Sequence, residues 1–87
     1  SDFDIQLLEM ADDRELPVHI LLTKADKLSR GAAGTVLLQV RDALKLFGEL
    51  TSVQLFSALK HDGHKELTAV LDAWMTELQE EDPGERG

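Results

Sequence analysis

The stretch PVHILLTKADKL, residues 17–28, decides the fold class. Its first half, Val18 to Leu22, is a nearly continuous apolar run of the kind found in strands that are buried on both faces. Pro17 before the run and a polar loop after it favour a strand over a buried helix. Parallel sheets are the usual setting for such a strand, so the sequence predicts an α/β fold.

Predicted helices and strands alternate along the rest of the chain. Helices are expected over residues 2–13 and 32–47, a second strand over 51–56, and a last helix from the His61-Asp62-Gly63 turn to about Leu78. Asp2 is a candidate N-cap. The residues expected to face a core are Phe3, Leu7, Met10 and Ala11 in the first helix, Ala33, Val36, Leu37, Val40, Leu44 and Phe47 in the second, and Leu67, Val70, Leu71, Trp74 and Leu78 in the last. The pattern predicts helix, strand, helix, strand, helix with two parallel strands.

Composition excludes several classes of function. The 87 residues carry a net charge of -8, which argues against binding to phosphate backbones. There is no cysteine, so disulfides, thiolate metal sites and cysteine nucleophiles are excluded. No apolar run approaches the length of a membrane span. A cytoplasmic location and no membrane partner are therefore expected, with residues 80–87 as an acidic, disordered tail.

Polar tetrapeptides follow both predicted strands. The first, Thr23-Lys24-Ala25-Asp26, fits the [N/T]-K-x-D pattern with which GTPases recognise guanine. The second, Ser57-Ala58-Leu59-Lys60, follows Phe56 and fits the S-A-[K/L] loop that closes over the same base. Each match alone is weak. Together they are stronger, because ligands of open α/β sheets bind at the carboxyl ends of the strands.

The chemistry of guanine explains these residue types. The Asp26 carboxylate can accept from guanine N1–H and from the exocyclic N2 amine at once, whereas adenine N1 would repel it. The aliphatic part of Lys24 can cover the purine face, and the Thr23 hydroxyl can hold the loop. In the second loop, the Ala58 N–H can donate to guanine O6 and Ser57 can brace the turn. Leu59 or Lys60 is expected to screen the base from water.

From Asp2 to about Leu78 the chain resembles the C-terminal half of the EngB (YihA/YsxC) family of bacterial GTPases, in the TrmE-Era-EngA-EngB-septin-like group. The resemblance rests on LLTKADKL at 21–28, on FSALK at 56–60, and on a final helix with Leu67, Leu71 and Trp74. It implies part of a Ras-like P-loop NTPase fold, the C-terminal part of a three-layer α/β/α sheet, over residues 1–79. It also implies binding of GTP and GDP by Thr23, Lys24, Ala25, Asp26, Phe56, Ser57 and Ala58.

The resemblance further implies Mg²⁺ in the parent protein, and a role in assembling the large ribosomal subunit that is needed for cell division and septation. The sequence contains no G-x-x-x-x-G-K-[S/T] phosphate loop and no D-x-x-G motif. We therefore expect those parts upstream of Ser1, no catalytic residue and no metal ligand in this chain, and no GTP hydrolysis by it. A chain with an unpaired strand edge is also expected to associate with a second copy or to exchange elements with it.

A different class of function stays open at this point. Both loops could be incidental, and the chain could be an independent α/β protein-interaction module. His61 and His64 have a spacing that suits a metal, but no third ligand is evident, so solvated loop histidines are the expected reading. His19 is expected to be a packed strand residue, and Glu66, Asp72 and Glu77 to be solvated carboxylates.

Overall fold

The computed structural model describes residues 5–81 of the chain. The predicted order of helices and strands is confirmed. Two short 3₁₀ helices, Lys24–Lys27 and Lys45–Phe47, follow β1 and α2 respectively. The main elements are α1 (Ile5–Asp13), β1 (Val18–Leu22), α2 (Arg30–Leu44), β2 (Thr51–Leu55) and α3 (His64–Glu81).

The two strands pair in parallel, as predicted. Their register runs from Val18 opposite Thr51 to Leu22 opposite Leu55, without a bulge. Parallel strands need a crossover connection, and α2 supplies it. Within residues 5–81 the sheet has only these two strands, so each strand has one unpaired edge. Every residue of β1 is accordingly half-buried, whereas the apolar run predicted burial on both faces.

The core lies on one face of the sheet. Leu8 of α1, Leu44 of α2 and Val53 of β2 form its buried centre. Half-buried apolar side chains pack around them, namely Val18, Ile20, Leu22, Leu37, Val40 and Phe47. Because side chains alternate along a strand, His19, Ser52 and Gln54 belong to the opposite face. The sheet therefore has an apolar face under α1 and α2 and a largely polar second face.

Helix α2 matches its prediction closely at both ends. Ser29 caps its N-terminus, since the Ser29 hydroxyl accepts a hydrogen bond from the Ala32 N–H at 3.2 Å. The helix begins at Arg30, two residues before the predicted start, and a 3₁₀ turn carries the helical path to Phe47. Gly48 then ends it with a φ of 80°, a conformation that suits glycine.

The predicted core-facing residues of α1 need correction. Leu8 and Ala11 are the buried residues, whereas Leu7 and Met10 are 51% and 41% exposed. Adjacent apolar residues at positions 7 and 8 allow two stripes that differ by about 100°, and packing on α2 and β2 selects the one through Leu8. The proposed N-cap Asp2 and the predicted core residue Phe3 lie outside the described residues.

Helix α3 differs from its prediction in length and in burial. It ends at Glu81, past the expected end at about Leu78, while the rest of the predicted tail lies outside the described residues. Leu67, Val70 and Trp74 are half-buried, but Leu71 and Leu78 are 47% and 58% exposed. The amphipathic pattern is therefore present, and only part of it is covered by residues 5–81. None of the helices in this range has the length and apolar character needed to cross a membrane.

Candidate functional site

The two polar loops meet at the carboxyl ends of the strands. The Ser57 hydroxyl donates to Asp26 Oδ2 at 3.1 Å, although the two residues are 31 positions apart. The parallel register causes this meeting, because it places Leu22 beside Leu55 and so starts both loops at the same edge. The Phe56 N–H extends the pairing by donating to the Leu22 carbonyl at 3.3 Å. The structure thus brings the two sequence motifs together.

Lys60 ties the loops a second time. Its ammonium donates to the backbone carbonyl of Asp26 at 2.9 Å, and its backbone N–H donates to the Ser57 hydroxyl oxygen at 3.1 Å. The Ser57 hydroxyl therefore acts both as an acceptor, from the Lys60 N–H, and as a donor, to the Asp26 carboxylate. Ser57 is 5% exposed and its two hydroxyl bonds are partly buried, whereas the bond from the Lys60 ammonium is exposed. The bracing role predicted for Ser57 agrees with this geometry.

The second loop, residues 56–62, is closed on itself by backbone hydrogen bonds. Ser57 and Asp62 form an isolated antiparallel bridge in which each N–H donates to the other's carbonyl at 2.9 Å. The His61 N–H donates to the Ala58 carbonyl at 3.3 Å, and His61 has a φ of 57°. Ala58 and Leu59 therefore lie at the tip of a tight turn. Among the described residues, the Ala58 N–H has no hydrogen-bond partner, so it is free to donate to a ligand.

A cavity of about 580 Å³ opens between the two loops. Its volume lies in the range of small-molecule sites. Of the predicted site residues, Ala25, Asp26, Phe56 and Ser57 line it. The charged residues around it are Asp26, Asp62, Glu66, Arg30 and Lys60. Three of these five groups are carboxylates, which accept N–H groups well, so this lining suits the N–H groups on the edge of a base.

The remaining predicted site residues lie beside the cavity. Thr23 and Lys24 are exposed, and neither is among its lining residues. Thr23 precedes the 3₁₀ helix, but its hydroxyl does not cap that helix, so the predicted bracing by Thr23 is not seen. Ala58 is exposed at the loop tip. The structure thus gathers four of the seven predicted site residues around one cavity, with the other three on its two flanking loops.

Asp26 keeps most of its acceptor capacity. A carboxylate offers about four lone-pair positions, and Ser57 uses one of them on Oδ2. Among residues 5–81, Oδ1 has no hydrogen-bond partner. The side chain is half-buried, and Ser57 fixes its direction from one side. Asp26 can therefore accept two further N–H donors that lie side by side.

Sequence reasoning missed the double contact of Lys60 with Asp26 and Ser57. The available signal was the position of Lys60 three residues after a serine, since serine hydroxyls commonly bond the backbone N–H at that distance. It also missed Arg30 and Glu66, which line the cavity from the starts of α2 and α3. Neither belongs to a motif, so only the fold places them there.

The described residues do not fit a metal site. Within residues 5–81, no group of three or more His, Asp or Glu side chains is arranged to hold an ion. None of them is therefore assigned to Mg²⁺. His61 and His64 are both exposed, and their ring centroids lie 5.9 Å apart. The His64 ring also approaches Phe56, with 4.8 Å between the centroids.

The fold and the site define a class. Two parallel strands with flanking helices, and polar loops gathered at the carboxyl ends of the strands, are consistent with part of a P-loop NTPase fold. Over 74 residues, 85% of its length, the chain is 46% identical to a protein from Tolumonas auensis named "Probable GTP-binding protein EngB". This similarity confirms the resemblance to EngB proteins. The chain spans 35% of the length of that relative. No protein-family model matches the chain.

Proposed function

We propose that this chain is the base-recognition part of an EngB-type GTP-binding protein, and that it selects guanine over other bases. The observation that carries the proposal is the hydrogen bond between Ser57 and Asp26, which joins the two base-reading motifs around one cavity. In this proposal the Asp26 carboxylate accepts from N1–H and from the N2 amine of guanine. The free Ala58 N–H donates to O6.

The same arrangement disfavours adenine. Adenine presents an unprotonated N1 to the carboxylate and an amine to the Ala58 N–H, so an acceptor would face an acceptor and a donor would face a donor. Leaving such groups unpaired at a partly buried site costs about 1–3 kcal/mol for each group. Lys24 is exposed on the 3₁₀ helix beside the cavity, which supports its proposed contact with the purine face. Ala25 is buried, and both Ala25 and Phe56 line the cavity, so both shape the pocket.

A chimera tests this proposal. In it, the segment of the Tolumonas auensis protein that aligns with this chain is replaced by the corresponding 74 residues of this chain. We expect the chimera to bind GDP at least about thirtyfold more tightly than ADP, since two mismatched groups together are worth about 2 kcal/mol or more. Calorimetry with both nucleotides measures the ratio, and the unmodified relative is the control. Equal affinities in the chimera, with GDP preference in the control, would refute the proposal.

The isolated chain should bind nucleotides weakly. Its sequence contains no phosphate loop, and phosphate contacts supply much of the affinity in such proteins. Binding of GTP weaker than roughly millimolar, or about −4 kcal/mol, is therefore proposed for the 87 residues alone. A role in assembling the large ribosomal subunit, a cytoplasmic location, and a need for the parent protein in cell division and septation are further parts of the proposal. They are supported by the resemblance to EngB proteins.

Self-association of the chain is also proposed. Within the described residues each strand has an unpaired edge, and α3 exposes Leu71, Met75 and Leu78. Unpaired strand edges and exposed apolar side chains each favour association with another chain. We expect light scattering to give a mass above 9.7 kDa that rises with concentration. A monomer that stays folded and monodisperse at high concentration would contradict the proposal.

The alternative function is an independent protein-interaction module. The exposed apolar residues of α3 favour it, since such a stripe suits a partner protein. The nucleotide ratio of the chimera separates the two functions. An interaction module requires no preference between GDP and ADP.

A further inference from the structure

The second face of the sheet holds a polar network that the proposed function does not use. Gln54 lies at its centre and is 1% exposed, which is unusual for an amide side chain. Its Nε2 donates to the Gly63 carbonyl at 2.8 Å and to the Leu55 carbonyl at 3.0 Å. Both amide hydrogens are therefore used. They join the last residue of β2 to the residue that follows the second loop.

His19 contacts the opposite end of the Gln54 amide. Two carbonyl oxygens face one end of the amide, so that end must be the nitrogen, and Oε1 must point the other way. There Oε1 lies 2.7 Å from His19 Nε2. An oxygen at this place requires a donor, so Nε2 of His19 carries a proton. His19 Nδ1 lies 2.7 Å from the Ser52 hydroxyl, which can donate to it. Every polar group of the network then has a partner.

Gly63 permits the close approach of these groups. It has a φ of 93°, and a Cβ added at this residue would lie 2.5 Å from the Leu55 carbonyl oxygen and 2.7 Å from Gln54 Nε2. A larger residue would push the start of α3 away from the end of β2. The Leu67 N–H also donates to the Gly63 carbonyl, at 3.0 Å, so Gln54 is joined directly to the first turn of α3.

We propose that Gln54 is a positioning residue for the second loop. The loop leaves β2 after Leu55 and returns at Gly63, and Gln54 holds both ends at a fixed separation. This fixed separation sets the turn that presents the Ala58 N–H. His19 acts indirectly, through Gln54, because its bond to Oε1 helps to hold the amide in the required orientation. The inference rests on the proposed function, since it assigns Gln54 a part in recognising guanine O6.

The test uses the full 87-residue chain labelled with ¹⁵N. Gln54→Met keeps an unbranched side chain of similar length and removes both donors. Amide hydrogen exchange at Ser57 and Asp62, whose N–H groups form the bridge of the second loop, should accelerate by at least about tenfold relative to the β1–β2 ladder. His19→Phe should give a smaller acceleration at the same two amides. Gln39→Met is the matched control, because Gln39 is an exposed glutamine of α2 that lies outside this network.

Base recognition provides the second readout. Calorimetric titration of the chimera with GDP and with ADP gives a dissociation constant for each nucleotide. In the chimera, Gln54→Met should weaken GDP binding by at least about fivefold and leave ADP binding unchanged, because only guanine uses O6 as an acceptor. A merely structural role would change the two constants by the same factor.

The outcomes separate the two proposals. Equal acceleration of loop and ladder amides, or unchanged protection of Ser57 and Asp62, would overturn the positioning role. If Gln54→Met does not fold, His19→Phe decides the matter through the same two amides. A chimera without preference for GDP over ADP would refute the proposed function. Amide hydrogen exchange at Ser57 and Asp62 would then still show whether Gln54 fixes the conformation of the second loop.

Discussion

Replacing Asp26 with Asn in the chimera is expected to weaken GTP binding by at least about tenfold, or 1.4 kcal/mol, and to improve XTP binding. The substitution turns one acceptor oxygen of the carboxylate into a donor amide. The N2 amine of guanine would then face another donor, whereas xanthine has a carbonyl at this position and can accept from the amide. Competition between GTP and XTP for the chimera measures the change.

Asp42→Asn is the matched control for this substitution. Asp42 lies in α2, its side chain is 77% exposed, and it pairs with Lys45 at 3.2 Å, away from the cavity. We expect Asp42→Asn to change neither the GTP nor the XTP affinity, because Asp42 does not line the cavity and losing an exposed ion pair has little effect on stability. An unchanged ratio of GTP to XTP affinity in Asp26→Asn would show that Asp26 does not contact the base.

The second large effect concerns the core. Leu44→Ala should lower the free energy of unfolding by about 2–5 kcal/mol, because Leu44 is 5% exposed at the centre of the cluster with Leu8 and Val53. Leu46→Ala changes a leucine that is 84% exposed only two residues further along, and its effect should stay within about 0.5 kcal/mol. Urea denaturation of the 87-residue chain measures both. Similar midpoints for the two variants would contradict the described core.

Much of the fold could be predicted from local sequence. The run from Val18 to Leu22 identifies β1, and its alternation with helices predicts the parallel pair. Gly48 marks the end of the helical path that follows α2. The prediction of the core-facing stripe of α1 was wrong by one residue, because positions 7 and 8 are both leucine. Only contact with Leu44 and Val53 distinguishes the two.

Burial could not be predicted from the same patterns. The apolar run of β1 and the stripe of α3 both indicated full burial. Leu71 is nevertheless 47% exposed, and β1 is half-buried throughout. A periodic pattern identifies the face of a helix that avoids water, but it does not identify the element that covers this face. Coverage depends on which other elements are present, and residues 5–81 supply too few of them.

The candidate site was predictable in its residues and not in its contacts. The motifs at positions 23–26 and 57–60 pointed to one edge of the sheet, because parallel strands end together. The bonds from Ser57 and Lys60 to Asp26 join residues 31 and 34 positions apart, and no local pattern predicts them. The bond between His19 and Gln54 spans 35 positions in the same way. It was missed because neither residue belongs to a motif.

A crystal structure of the chimera with GDP would show directly which groups of the two loops contact the base. We expect guanine N1 and N2 each to lie within about 3.2 Å of an Asp26 carboxylate oxygen. We expect O6 to lie within the same distance of the Ala58 nitrogen. The claim that these two loops recognise guanine would be contradicted by a bound GDP whose base lies outside the cavity, or whose N1 and N2 contact groups other than Asp26.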